Sequence, residues 1–294
     1  MAEPRGKKKA GPSNKKGANP LKARLKGQTT AAGEGGASAS GSTPGNDRDE
    51  EACGPLFEAT LSGPLITLLF TSKANQHATL ARIEAFYESA SQARRYLSLE
   101  EAGKARLCQN YEAFNLPLSV AREWLREMRA KEEAGGEEEQ EQEQDGQAVW
   151  WAAFVNAEEK ELLTFLDERG VLTSPPRASS PSYLISSLVT QQSTSLPHER
   201  LHALYHLSEL YRSLVTDHYS SLTKRARKAI ETDLGMRGYG QTVWEDEWQA
   251  YVVHGEEEVG GGVAKGENGE ARQALRETVR EEGCRLGLGG TGFW

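Results

Sequence analysis

The sequence predicts an α+β fold, predominantly α-helical, with its packed part over residues 53–254. Three observations predict it. Apolar residues recur at helical spacing in several segments. Two short β-type runs, PLITLLF at 64–70 and YLISSLV at 183–189, lie between turn-forming residues. Both ends of the chain and one internal stretch hold too few large apolar side chains to join a core.

Residues 1–52 are Lys, Gly, Ala, Ser and Pro and read as a disordered basic arm. PLITLLF is a buried strand. ATLARIEAFYESA at 78–90 places Leu80, Ile83 and Phe86-Tyr87 on one helical face. Ser98-Leu-Glu-Glu101 has the form of a capping box and opens another helix. A third helix, 118–131, carries Val120, Trp124 and Met128 every fourth residue. The acidic low-complexity insertion 132–147, EEAGGEEEQEQEQDGQ, reads as a solvated loop.

Beyond it a helix runs from Val149 to Arg169 with an internal restart at Asn156. SPPRASSPS at 174–182 and TQQSTS at 190–195 are loops around the YLISSLV strand. A long helix starts at Leu196-Pro197, where proline is tolerated in the first turn, and another covers 221–234. Thr242-Val-Trp-Glu245 is a second capping box, opening a helix to about Val253. Residues 255–294 read as a linker, a short charged helix and a flexible tail.

Charge is divided unevenly. The first 33 residues hold nine Lys and Arg against Glu3, so they carry +8, and the remainder carries −16 of the net −8. The lysine clusters at 7–9 and 15–16 suit a nuclear-import or nucleic-acid-binding arm, and equally a solubilising tail. Cys53, Cys108 and Cys284 are odd in number and far apart, which favours a reducing compartment. The longest apolar run is too short to span a bilayer and the N-terminus has no apolar signal core. The expectation is an intracellular protein of the cytoplasm or nucleus, with no membrane partner.

The chemistry concentrates in His198-Glu199-Arg200-Leu201-His202. Histidines four apart on a helix lie on one face, so both imidazoles reach one metal ion, and the glutamate between them is beside the first ligand, able to take a proton from a metal-bound water. A third histidine after a glycine turn is absent, since Tyr205 and Ser208 stand at those positions. Three ligands from one straight helix cannot close around a tetrahedral ion, which excludes His206. VWEDEWQAY at 243–251 offers Glu245, Asp246 and Glu247. Glu245 is accounted for by the capping box and Asp246 by the helix dipole. Glu247 shares a face with Ala250, Tyr251 and His254, where a carboxylate needs a partner. It is the expected third ligand.

HERLH followed by EWQAY resembles the gluzincins, zinc metallopeptidases in which a second helix supplies a metal-binding Glu. The resemblance covers about residues 183–254 and rests on His198, Glu199, His202 and Glu247. It implies a zincin-like active-site helix followed by a helix carrying the Glu ligand, Zn²⁺ as cofactor, a peptide or protein substrate, and Glu199 as general base. Many members carry Asp four positions after the glutamate ligand to brace a histidine. Here that position is Tyr251, with Asp246 and Asp217 as the alternatives for bracing. Tyr205, Tyr211, Tyr239, His206, His218 and Tyr251 are all candidates for stabilising an oxyanion.

The rival reading is a non-enzymatic helical interaction protein, nuclear in one version, with a coincidental or decayed HExxH. What separates the two is whether Glu247 comes within metal reach of both histidines. Two other signals are discounted. GLGGTG at 287–292 matches a dinucleotide fingerprint but has no helix after it. KRARK at 224–228 reads as a solvated helix face.

Overall fold

The computed structural model describes residues 54–135, 149–173, 175–177, 179–255 and 258–288. The expected basic arm (1–52), most of the acidic insertion and the last residues of the expected tail lie outside them.

The described residues form one compact unit, mixed α+β and mostly helical. In chain order the described elements are β1 (Glu58–Ser62), β2 (Leu65–Phe70), α1 (Lys73–Glu88), α2 (Leu99–Ala105), β3 (Ala113–Pro117), α3 (Leu118–Gly135), α4 (Ala157–Glu168), β4 (Tyr183–Leu188), α5 (Gln192–Leu207), α6 (Glu209–Ser221), α7 (Lys224–Arg237), α8 (Trp244–His254) and α9 (Gly261–Arg285). The sheet order is β1-β2-β4-β3. β1 and β3 are antiparallel to their neighbours, and the central pair β2 and β4 is parallel, with Leu65 opposite Tyr183 and Thr67 opposite Ile185.

The pleat explains why PLITLLF is apolar throughout. Side chains alternate between the two faces of a strand, and both faces of β2 are covered. Ile66, Leu68 and Phe70 pack with Leu184 of β4 into a core shared with α1, α3 and α4. Leu65, Tyr183 and Ile185 face the opposite core, built with α5 to α9. β4 runs through a short 3-10 turn (Val189–Gln191) into α5, so the helix carrying HERLH lies directly against the sheet.

Several local expectations are corrected. TQQSTS is no loop: α5 begins at Gln192, which puts Pro197 inside the helix and leaves the Ser193 carbonyl without its helical donor. The helix then stops at Ser208, whose extended backbone ends α5 and whose hydroxyl caps α6 by accepting from the Tyr211 N–H at 3.0 Å. The Thr242 capping box does not form. A 3-10 turn (Gln241–Val243) precedes α8, which has no side-chain N-cap. Glu245, Asp246 and Glu247 in its first turn offset this by meeting the positive end of the helix dipole. The capping boxes at Ser98 and Asn156 do form, the latter opening α4 after a 3-10 turn at Trp150–Ala153. The third helix extends to Gly135, a few residues into the segment expected to be insertion.

The largest correction concerns residues 258–288. Instead of a linker and a short helix, α9 spans 25 residues and packs on the core. Ala264, Asn268, Ala271, Leu275, Val279 and Glu282 are buried at i+3, i+4 intervals. Trp248 Nε1 donates to Asn268 Oδ1 at 3.0 Å, tying α9 to α8. Burial of this face outweighs the poor helix propensity of its glycines.

α1 is held in a fixed orientation by Arg82, which donates to Glu159 Oε2 of α4 at 2.7 Å and to the Leu97 carbonyl at 2.8 Å. Its C-terminus meets the turn after α7. Gly240 N–H donates to the Glu88 carbonyl at 2.9 Å, and a Cβ on Gly240 would stand 3.2 Å from that oxygen.

Candidate metal centre

Three elements bring the site together. α5 supplies His198 and His202 from successive turns of one face, with Glu199 beside the first, α8 crosses it with Asp246 and Glu247, and β3 supplies Asn115. His198 Nε2 and His202 Nε2 are 3.2 Å apart, and His202 Nε2 is 3.7 Å from Glu247 Oε1. Donor atoms of all three residues lie within 4.8 Å of one another. Ligands 2.0–2.1 Å from a tetrahedral ion are separated by about 3.3 Å. The spacing therefore matches a shared ion, and the group His198, His202 and Glu247 is able to hold a metal.

The other nitrogen of His202 has a partner. A carboxylate only accepts, so Nδ1–H of His202 donates to Asp246 Oδ1, at 2.9 Å. This fixes the tautomer that leaves Nε2 free for a metal. Gln249 Nε2 donates to the same Oδ1 at 3.0 Å and is itself fixed by the Tyr211 hydroxyl at 2.7 Å. Asp246 is thus the brace, and Asp217 is exposed on α6. Glu245 is engaged elsewhere than expected: it accepts from the Tyr205 hydroxyl at 2.9 Å and from Thr216 Oγ1 at 2.6 Å.

Electrostatics follow from burial. His202 is 1% and Glu247 1% exposed. Burial opposes a charged His202, yet the carboxylates of Asp246, Glu247 and Glu199 together hold its pKa well above the usual imidazole value. Burial, then the neighbouring His202 and His254, push His198 well below it. One ring thus holds a proton where the other offers a lone pair, and a metal ion would replace that proton. Burial raises Glu199 to about 7, opposed by His202 and a hydrogen bond from Asn115. A carboxylate at about 7 is poised to take and return a proton near neutral pH.

Of the oxyanion candidates, Tyr205 and Tyr211 have their hydroxyls engaged as described, and His206 packs against Tyr183, ring centroids 5.1 Å apart. Tyr251 and Tyr239 lie beside the site: the Tyr251 ring is 5.0 Å from that of His198, and the two tyrosine hydroxyls are 3.2 Å apart.

Sequence reasoning missed Asn115, Glu84 and Glu88. Asn115 Oδ1 accepts from the Tyr183 hydroxyl at 2.6 Å while Nδ2 donates to Glu88 Oε1 at 3.2 Å. The available signal was a pair of acids at i, i+4 within the ATLARIEAFYESA helix. A cavity of about 410 Å³ between Phe57 and α4 shares no residue with this site. No helix among the described residues is long and apolar enough to cross a membrane. Compared with family models, curated proteins and solved structures, the chain matches none.

Proposed function

We propose that the chain is an intracellular zinc-dependent metallopeptidase of the gluzincin type, or a close hydrolytic relative, acting on a peptide or protein substrate. One observation carries the reading: two imidazoles on one helix and a carboxylate on another converge at ligand spacing, with one imidazole already braced by Asp246. His198, His202 and Glu247 would hold the ion. A zinc ion held there would supply an activated water and polarise a carbonyl. Glu199 would accept the water's proton and deliver it to the leaving amine. Asp246 keeps His202 in the tautomer that faces the ion. The Tyr251 hydroxyl, paired with that of Tyr239, is a donor beside the site that would meet developing negative charge.

The test is hydrolysis of a mixed peptide library by the zinc-loaded chain, followed by mass spectrometry, beside Glu199→Gln. Cleavage by the wild type, reduced about 10²-fold to 10⁴-fold in the variant at unchanged zinc content, supports the reading. Equal cleavage by both overturns Glu199 as the base.

One observation favours the rival, a helical interaction protein whose polar cluster is structural. Glu199 is 7% exposed, as expected of a carboxylate with a structural role. Zinc binding without hydrolysis of any library member is the outcome that selects it.

A further inference from the structure

The two edges of the sheet are treated differently. β3 is buried from Phe114 to Pro117, ends in a proline that has no N–H to offer, and runs directly into α3. β1 is the opposite edge. Among the described residues it pairs with β2 alone, and Glu58, Ala59, Thr60 and Leu61 are exposed. Unpaired N–H and C=O groups along an edge invite another strand, and edges are commonly blunted by Lys, Pro or a bulge. β1, Glu-Ala-Thr-Leu-Ser, has neither residue, and its register with β2 is unbroken from Glu58 to Ser62.

The two faces of β1 also differ. Ala59 and Leu61 stand opposite Leu68 and Ile66, so they lie on the side of the core that holds Phe57 and Phe70. The apolar line Phe57, Ala59, Leu61 starts inside that core, where the Phe57 ring is 5.4 Å from that of Phe165 on α4. It ends with Leu61 48% exposed. Such alternation belongs to a strand covered on one side, yet here the cover stops after Phe57.

The strand's own sequence identifies what fits it. Laid antiparallel against a copy of itself about Thr60, β1 sets Ala59 opposite Leu61, Thr60 opposite Thr60 and Glu58 opposite Ser62 of the second copy. Apolar meets apolar, threonines make a favourable cross-strand pair, and no two like charges oppose each other. An unrelated extended segment would satisfy the same backbone groups, but nothing in β1 selects one.

We propose that β1 is a self-association edge, through which two copies of the chain pair about a two-fold axis at Thr60 and join their four-stranded sheets into one. Pairing uses up the open edge of both copies, so assembly stops at the dimer. Five residues a side make a small contact, which sets this dimer at the weak end of protein interfaces. α5, which carries the two histidines, packs on β4 and β3 rather than β1, so the inference does not depend on the peptidase reading.

Sedimentation equilibrium of the full chain over about 1–100 µM, with a thiol reductant present so that no disulfide links the copies, is the test. The expected result is a monomer–dimer equilibrium. It should weaken at least about tenfold in Thr60→Lys, which sets two ammonium groups opposite each other, and in Leu61→Lys. Both side chains are exposed, so both variants should keep the helical circular dichroism of the wild type. A chain that stays monomeric throughout, a dimer unchanged in Thr60→Lys, or assembly that grows past two copies overturns the proposal. None of these outcomes bears on the zinc site.

Discussion

Nδ1–H of His202 donates to Oδ1 of Asp246 at 2.9 Å, and Asp246 immediately precedes the glutamate whose Oε1 is 3.7 Å from the other nitrogen of the same ring. Two consecutive residues of α8 thus address the two sides of one imidazole. The first orients it and the second joins it at the shared group.

Asp246→Asn should leave the fold intact while weakening zinc about 10-fold to 100-fold, since the amide no longer favours the Nδ1–H tautomer. Competition with a chromophoric chelator measures the affinity. An unchanged affinity would remove Asp246 from the site.

Tyr251→Phe should lower kcat on the order of 10²-fold with zinc content unchanged, as expected for loss of one donor to an oxyanion. Tyr205→Phe, whose hydroxyl is committed to Glu245, should change kcat little. Steady-state kinetics on one cleaved peptide separates them.

Leu275 is 0% exposed on α9. Leu275→Ala should therefore cost about 2–5 kcal/mol in urea unfolding, the range for a buried leucine. A loose tail would show no loss.

Glu282 of α9 accepts from Ser208, at the corner between α5 and α6, and from Arg285. The hydrogen bonds from Arg285 and Ser208 lower its pKa to about 2. A depressed acid stabilises the fold above its unfolded pKa, about 4.5, and that contribution is lost as pH falls toward 2. The stability difference between wild type and Glu282→Gln should be constant above about pH 5 and shrink between 4.5 and 2. Denaturant midpoints across that range check the sign.

Legibility in the sequence followed the range of the interactions. HERLH is local: spacing on one helix puts His198 and His202 together whatever surrounds them. β2 and β4 were legible because both are buried on two faces and read as apolar runs. β3 was missed because AFNLP is short and runs directly into α3, and Glu84 and Glu88 because their neighbours in space, Asn115, Glu199 and Glu247, are remote in sequence. Glu247 was reached partly on a faulty premise. Glu245 was set aside as a capping residue, whereas Tyr205 and Thr216 occupy it. α9 was hidden by glycines whose low propensity the packing of Leu275 and Val279 overrides.

The most direct test of the central claim is the zinc content of the dialysed chain, by elemental analysis, beside His202→Ala and Glu247→Ala. The account predicts zinc at one per chain, lost in both variants while each keeps its helical circular dichroism. A wild type that binds no zinc when supplied with it, or zinc retained in both variants, would contradict it.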